Sequence, residues 1–288
     1  MRIIATGATG QVGRELVALG AGPLTRRELD LTGDTGDTGD TVMTAARRLF
    51  AGAEAVIHTA AFTAVDAAED PSNAAEVTAV NAVAPGLLAR AAREVGARFI
   101  HVSTDYVFSG RPAGDRPWRV DDPVRPVNVY GATKEQGERG VLEAGGTVVR
   151  TSWVWSGPAA PGKDFVTTMA GLAARGVDPQ VVDDQTGRPT YAPDLAAGLW
   201  DLARRPDAAT PGILNYTNSG EPVTWCGLAR AVFAGLGHDP ERVRPCTTAE
   251  YPTPAPRPEW SVLDLAPWTA AVGRPPEWRD ALARGLRW

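Results

Sequence analysis

Residues 2–13, RIIATGATGQVG, decide the fold. Arg2 to Thr6 is a short apolar β-type run. Gly7, Gly10 and Gly13 follow it, and an amphipathic stretch through Glu15, Leu16, Val17 and Leu19 comes next. A glycine triplet set between a strand and a helix is the pattern of a dinucleotide-binding turn. Gly7 permits the tight turn, Gly10 lets the backbone approach a pyrophosphate, and Gly13 lets the helix pack on the sheet. The free N–H groups and dipole at the helix start then hold the phosphates.

Outward from this turn the first half repeats the same alternation. Short β-type runs fall near Pro23 to Thr25, at Ala55 to His58, at Arg98 to Ser103 and at Thr147 to Arg150. Between them, helical patterns cover Thr41 to Phe50, Ala74 to Val95 and Tyr130 to Ala144. Strands alternating with helices predict an α/β fold, a Rossmann-type doubly wound parallel sheet. After Trp153 the texture changes: proline-rich stretches 158–162 and 252–258 appear, and most of the nine tryptophans lie here. We expect residues 1–152 to form the NAD(P)-binding domain, with later segments returning to it. Residues 153–288 are expected to form mainly a smaller C-terminal substrate-binding lobe over the carboxyl ends of the strands, where ligands bind in such folds. From Thr32 to Asp40 the triplet Gly-Asp-Thr recurs. It has the carboxylate density of a calcium loop without its spacing, and reads as a loop expansion ending in an Asp40 helix cap.

The chain has 288 residues, 43% hydrophobic and 22% charged, with a formal net charge of -5, which excludes disorder, collagen and membrane classes. Apolar runs stop well short of a bilayer span, and the start lacks a signal-peptide pattern, so a soluble cytoplasmic protein is expected. The acidic balance offers no footprint for nucleic acid or an anionic membrane. Cys226 and Cys246 match no metal or redox spacing, and with only His58, His101 and His238 available no metal site is expected. Of the 29 basic residues only Lys134 and Lys163 are lysine. Where arginine is so strongly preferred, a surviving lysine marks a place where a guanidinium would not serve.

Beyond the second strand the chain reads TRRELDL (25–31), with no acid at the strand end to hold a ribose 2′-hydroxyl. Arg26, with Arg27, accepts a 2′-phosphate instead, which favours NADPH and leaves NADH as the alternative. Asp30 is placed for the adenine amino group, with the Leu31 backbone beside it. Tyr130 and Lys134, four apart, project from one helix face, and an adjacent ammonium is expected to lower the phenol pKa. The strand Arg98 to Ser103 ends in STDYVF (103–108), so Thr104 donates to a substrate carbonyl and Asp105 grips a sugar hydroxyl. The Trp153 indole offers an apolar face to a sugar and one N–H donor. Arg188 and Arg257, charged and in loops, are candidates for the nucleotide diphosphate.

These segments resemble one family over most of the chain. They are GATGQVG (7–13), ELDLT (28–32), HTAAFTAVDAAE (58–69), VNAVAPGLLA (80–89), GARFIHVSTDYVFSG (96–110), PVNVYGATKEQGE (126–138), VVRTSWVW (148–155), VVDDQTGRPTYAPDLA (181–196) and PAPRPEWSVLD (254–264). The chain is identified by resemblance as a member of the dTDP-4-dehydrorhamnose reductase family, within the extended short-chain dehydrogenase/reductases. The resemblance implies NADPH-dependent reduction of the C4 keto group of a dTDP-linked 4-keto-6-deoxy sugar. Tyr130 would be the proton donor and Lys134 its activator, with Thr104 where wider relatives use Ser. Gly10, Gln11 and Val12 would line the pyrophosphate, Asp30 and Leu31 the adenosine, Ala60, Ala61 and Phe62 the cofactor at the end of the third strand, and Val102 the nicotinamide side. Thr104, Asp105 and Trp153 would contact the sugar nucleotide.

Some relatives dimerise through carboxylates bridged by a metal such as Mg2+. Glu15 suits that role, but Thr190 and Tyr191 stand where another acid would be wanted, so monomer and homodimer both stay open. Two rival readings also stay open: a 4-ketoreductase acting on another nucleotide sugar of antibiotic biosynthesis, such as dTDP-dihydrostreptose formation, and a non-catalytic regulatory subunit of the same fold.

Overall fold

Six parallel strands carry the molecule. In a computed structural model that describes residues 1–32, 40–160, 162–205 and 212–287, they are β1 (Ile3–Thr6), β2 (Gly22–Leu24), β3 (Ala55–His58), β4 (Arg98–Thr104), β5 (Thr147–Thr151) and a sixth, Ile213–Asn215. Their order is Ile213–Asn215, β5, β4, β3, β1, β2. The chain therefore leaves β1 to one side for β2 and then crosses to the other side for β3. That reversal opens a crevice at the carboxyl ends of β1 and β3. The register sets Thr6 beside His58 and His58 beside His101, and it sets Thr104 beside Thr151.

Strands buried on both faces read as near-continuous apolar runs, as β1 and β3 do, while β5 is equally buried but carries Arg150 among its residues. One face packs Ile4, Val56, Phe99 and Val148 against Phe50 of helix α2 (Asp40–Phe50), Leu88 and Val141. The other packs Ile3, Ala5, Ile57 and Val149 against Leu16 of helix α1 (Gln11–Ala18) and Leu195 and Leu199 of helix Ala192–Arg204. The sixth strand and that last helix come from beyond residue 152. The remaining C-terminal segments build a second core from helices Phe165–Ala174, Trp225–Gly235 and Trp278–Gly285, around Trp155, Met169, Phe233 and Trp278.

The expected helix Ala74 to Val95 is helical but not uniform. It runs as Ala74–Val77, a π turn Thr78–Val83, and Ala84–Glu94. Pro85 has no N–H to return to the Asn81 carbonyl, which breaks the α ladder there. The residue repeat lies at 33–39, outside the described residues, as does the side chain of Asp40; the helix itself begins at Asp40. No helix among the described residues is long and apolar enough to cross a membrane.

Candidate active site

The cleft begins at the glycine turn. Gly7 has φ +70°, and a Cβ there would lie 2.6 Å from the Ala60 nitrogen, while a Cβ on Gly13 would lie 2.1 Å from the Gly7 carbonyl oxygen. Neither position admits a side chain. At Gly10, the N-cap of α1, a Cβ meets only the Gly7 oxygen at 3.2 Å, and no side chain caps the helix. Open N–H groups and a surface without side chains form the cradle that a dinucleotide phosphate needs. Gly7, Arg26, Asp30, Leu31, Ala60 and Phe62 line the outer cavity of about 270 Å³. Gln11, Val12 and Val102 line a deeper one of about 520 Å³, and Gly10 and Ala61 belong to both. The residues expected to hold the cofactor, other than Gly13 beneath the turn, thus lie along one groove. Asn81, inside the π turn, fixes one wall: its side chain accepts from Phe62 N–H at 2.9 Å and donates to Phe62 C=O at 3.1 Å.

At the outer end Arg26 pairs with Glu76 at 3.1 Å and Asp30 at 3.7 Å. One Asp30 oxygen accepts from Thr32 N–H and Oγ1–H at 2.9 and 2.7 Å, which holds its carboxyl below the usual range.

The inner end is built by the helix Val129–Glu143. Asn128 starts it, accepting from Gly131 N–H at 2.7 Å while donating to Pro256 C=O at 2.8 Å, so the helix start is tied to the proline-rich stretch 252–258. Tyr130 sits in the first turn and Lys134 one turn on. The Lys134 ammonium, 1% exposed, donates to Val102 C=O at 2.8 Å and meets His101 Nε2 at 3.1 Å. Burial pulls it down to about 7, although Glu138 pulls the other way. Burial keeps His101 neutral as well, with the neighbouring Lys134 charge adding to that effect.

The phenol of Tyr130 does not show the expected lowering. Burial pushes it up to about 12, a Thr104 hydrogen bond opposes that, and Asp105 adds to it. Desolvation dominates, so the phenol keeps its proton at neutral pH. Thr104 Oγ1 accepts from Tyr106 N–H at 3.2 Å and donates to Asp105 Oδ1 at 3.1 Å. Asp105, 2% exposed, has its carboxyl raised by burial to about 7, and its Oδ2 has no partner. Beneath these groups Glu138 and Arg150 form an ion pair at 2.7 Å, each side chain 3% exposed, and Ser103 donates to the same carboxylate at 2.5 Å. This pair clamps the helix Val129–Glu143 to the ends of β4 and β5.

Trp153 reaches the inner cavity with φ +50°, a strained value for a residue with a Cβ. Its indole stacks on Trp225, centroids 3.6 Å apart, so one face is already covered. Arg257 lines an adjoining cavity of about 410 Å³ that shares Tyr106 and Trp225 with the inner one, and it pairs with Asp66 at 2.8 Å. Arg188 is not brought here. Its guanidinium donates to Gly220 C=O at 2.7 Å and Leu263 C=O at 3.1 Å, and it borders a different cavity. Near Glu15, Tyr191 is followed by Asp194, which is held by Arg284 at 2.6 Å. Among the described residues no group of His, Cys, Asp or Glu is arranged to hold a metal.

Sequence reasoning passed over His101, Glu138, Arg150, Asn81 and Trp225. Glu138 carried a signal, an acid four residues beyond Lys134 in a buried helix face. The others act through contacts between distant segments.

Sheet order and crevice place the molecule among doubly wound dinucleotide-binding proteins, and the Tyr130–Lys134 pair against the end of β4 narrows the class to the extended short-chain dehydrogenase/reductases. A family model, the RmlD substrate binding domain, matches residues 1–287. The chain is 47% identical to the dTDP-4-dehydrorhamnose reductase of Mycobacterium tuberculosis, over 99% of this chain and 92% of that protein. Among solved structures it resembles a dTDP-4-dehydrorhamnose reductase of Clostridium acetobutylicum with TM-score 0.85 and 34% identity, covering 99% and 98% of the two chains. It also resembles the Bacillus anthracis enzyme in complex with NADP, with TM-score 0.84 and 30% identity, covering 99% and 98%. The chain belongs to the dTDP-4-dehydrorhamnose reductase family.

Proposed function

We propose that this protein reduces the C4 keto group of a dTDP-4-keto-6-deoxy-L-hexose with NADPH, converting dTDP-4-dehydrorhamnose to dTDP-L-rhamnose. The observation that carries the reading is geometric: Tyr130, Lys134 and Thr104 line one cavity with Gly10 and Gln11 of the glycine turn, and that cavity adjoins a second one beside Tyr106 and Arg257. Gly7, Gly10, Gln11, Arg26 and Asp30 would hold the cofactor, with Lys134 donating to its ribose hydroxyls. When bound, NADPH supplies the hydride that reaches C4.

The chain supplies the proton and the polarity. In the complex the single Thr104 hydroxyl proton would turn from Asp105 Oδ1 to the C4 carbonyl oxygen, and Tyr130 gives its proton to that oxygen as negative charge develops there. The Lys134 ammonium, fixed by Val102 and His101, stabilises the phenolate left behind. Asp105 holds a sugar hydroxyl through its unpartnered Oδ2, and Arg257 faces the nucleotide. We place the protein in the cytoplasm, as a monomer or homodimer without nucleic-acid or membrane partners. Its net charge of -5, which repels nucleic acid and anionic membrane surfaces, supports that placement.

The test is loss of NADPH absorbance with dTDP-4-keto-6-deoxy-D-glucose, with and without the epimerase that yields the L-lyxo sugar, and NMR of the product. Oxidation only with the epimerase, giving dTDP-L-rhamnose, is the expected result. Oxidation without it moves the substrate to another nucleotide sugar, and no oxidation in either arm refutes the reductase reading.

A further inference from the structure

The second lysine has a place that the reaction above leaves unused. In a chain whose other basic residues are arginine, both lysines line the same cavity, Lys134 buried at its floor and Lys163 exposed at its edge. Lys163 lies on the connection between strand Val154–Trp155 and helix Phe165–Ala174. Its neighbour Asp164 ties that connection down. Asp164 Oδ1 caps the helix by accepting from Thr167 N–H at 2.7 Å. Its Oδ2 accepts from Ser156 N–H at 3.0 Å, Gly157 N–H at 3.3 Å and Gln11 Nε2–H at 3.2 Å.

Gln11 is the first residue of α1, where the uncapped N–H groups face the groove. The tether from Asp164 to Gln11 therefore sets the C-terminal lobe against the glycine turn, and it carries Lys163 to the stretch of cavity lined by Gly10, Gln11 and Arg14. Among the described residues no ion pair or hydrogen bond engages the Lys163 ammonium.

We propose that Lys163 completes the phosphate cradle, its ammonium binding the cofactor's diphosphate from the lobe side of the cleft. The inference rests on the reading that a nicotinamide dinucleotide occupies this groove. Backbone N–H groups from the turn already address part of the diphosphate. An ammonium on a flexible stem adds a compact charge with three donors and needs no planar, two-point match, which a guanidinium fork would impose. The proposed reaction contains a second diphosphate, that of the sugar nucleotide. The cavity beside Tyr106 and Arg257 that suits it does not include Lys163, so the geometry favours the cofactor.

The decisive measurement is calorimetric titration of wild type, K163A and K163M with ADP-ribose and, separately, with dTDP. ADP-ribose carries the cofactor's diphosphate without its nicotinamide or 2′-phosphate. Losing one charge-assisted hydrogen bond should weaken ADP-ribose about tenfold in both variants, leave dTDP affinity within about twofold, and raise the NADPH KM in parallel. The salt dependence of ADP-ribose binding should also flatten. Unchanged ADP-ribose affinity overturns the assignment. So does weakening of dTDP instead, which would move Lys163 to the sugar nucleotide, or a loss in K163A that K163M restores, which would make the stem rather than the charge responsible. Failure of wild type itself to bind ADP-ribose overturns the dinucleotide reading on which the inference stands.

Discussion

The two ends of the cleft handle charge in opposite ways. At the adenosine end Arg26 is 67% exposed and its partners Asp30 and Glu76 are 54% and 40% exposed. At the catalytic end Lys134, Asp105, Glu138 and Arg150 are all buried. Exposed pairs are screened by solvent and salt and contribute about 0–1 kcal/mol. Buried groups have no such relief, so their ionisation and their hydrogen bonds are set by the fold. On the proposed reading, recognition of the cofactor's outer phosphate would therefore be retuned by single surface changes, whereas the chemistry would depend on groups that the core holds in place.

The sharpest way to break this contrast is at the proton donor. Y130F should lower turnover by about 100- to 10,000-fold while dTDP-sugar binding, followed by titration of the inactive variant, is retained. Unchanged turnover would remove Tyr130 from the reaction. Next in size is E138Q, which leaves the Arg150 guanidinium buried against a neutral amide. Breaking a buried pair typically costs about 3–5 kcal/mol, so the thermal midpoint should fall sharply. A shift no larger than that of an exposed pair would show that the inner charges are better solvated than their burial implies.

The displaced ionisations give a pH signature with two opposite slopes. Asp105 is raised from 3.8 to about 7. The folded state thus binds this proton more tightly than the unfolded chain does. Its stabilisation is present below the ordinary carboxylate range and is lost as pH rises through about 7. Lys134 is lowered from 10.5 to about 7. The folded state then holds this proton less tightly, so the cost of burying the charge is full below pH 7 and fades as pH rises towards 10.5. Melting curves should show D105N gaining on wild type between about pH 4 and 7, and K134M losing its advantage between about pH 7 and 10. Parallel curves in either window would mean that the group concerned titrates normally.

The smallest effect belongs to the exposed end. R26A should raise the NADPH KM by about fivefold and leave the NADH KM little changed, as expected for one exposed charge-assisted contact. A loss as large for NADH would mean that Arg26 holds the groove wall rather than the 2′-phosphate.

Much of this was legible along the chain because it is local. The glycine turn needs only three spacings, and strand and helix periodicities mark β1, β3, β4 and β5 to within a residue or two. Tyr130 and Lys134 are one helical turn apart, so their shared face follows from sequence. The π turn was not legible, since Pro85 at the start of an alanine-rich helix reads as an ordinary helix beginning. Arg188 failed for the opposite reason: its charge and its loop were visible, but the carbonyls of Gly220 and Leu263 that take its donors are far off in sequence. Trp153 was recognised as an aromatic wall, but the Trp225 ring that covers one of its faces comes from another helix.

The amino-acid sequence by itself determined the order of elements, the glycine turn and the shared helix face of Tyr130 and Lys134, because each is a matter of spacing within one or two turns of chain. Tertiary structure decided which groups are charged and which are reachable. Only packing brings His101 and Val102 onto the Lys134 ammonium, closes Glu138 against Arg150, and raises Tyr130 and Asp105 by removing water from them. Desolvation is a property of everything that surrounds a group, and those surroundings arrive from segments up to a hundred or more residues away, as when Asn128 meets Pro256.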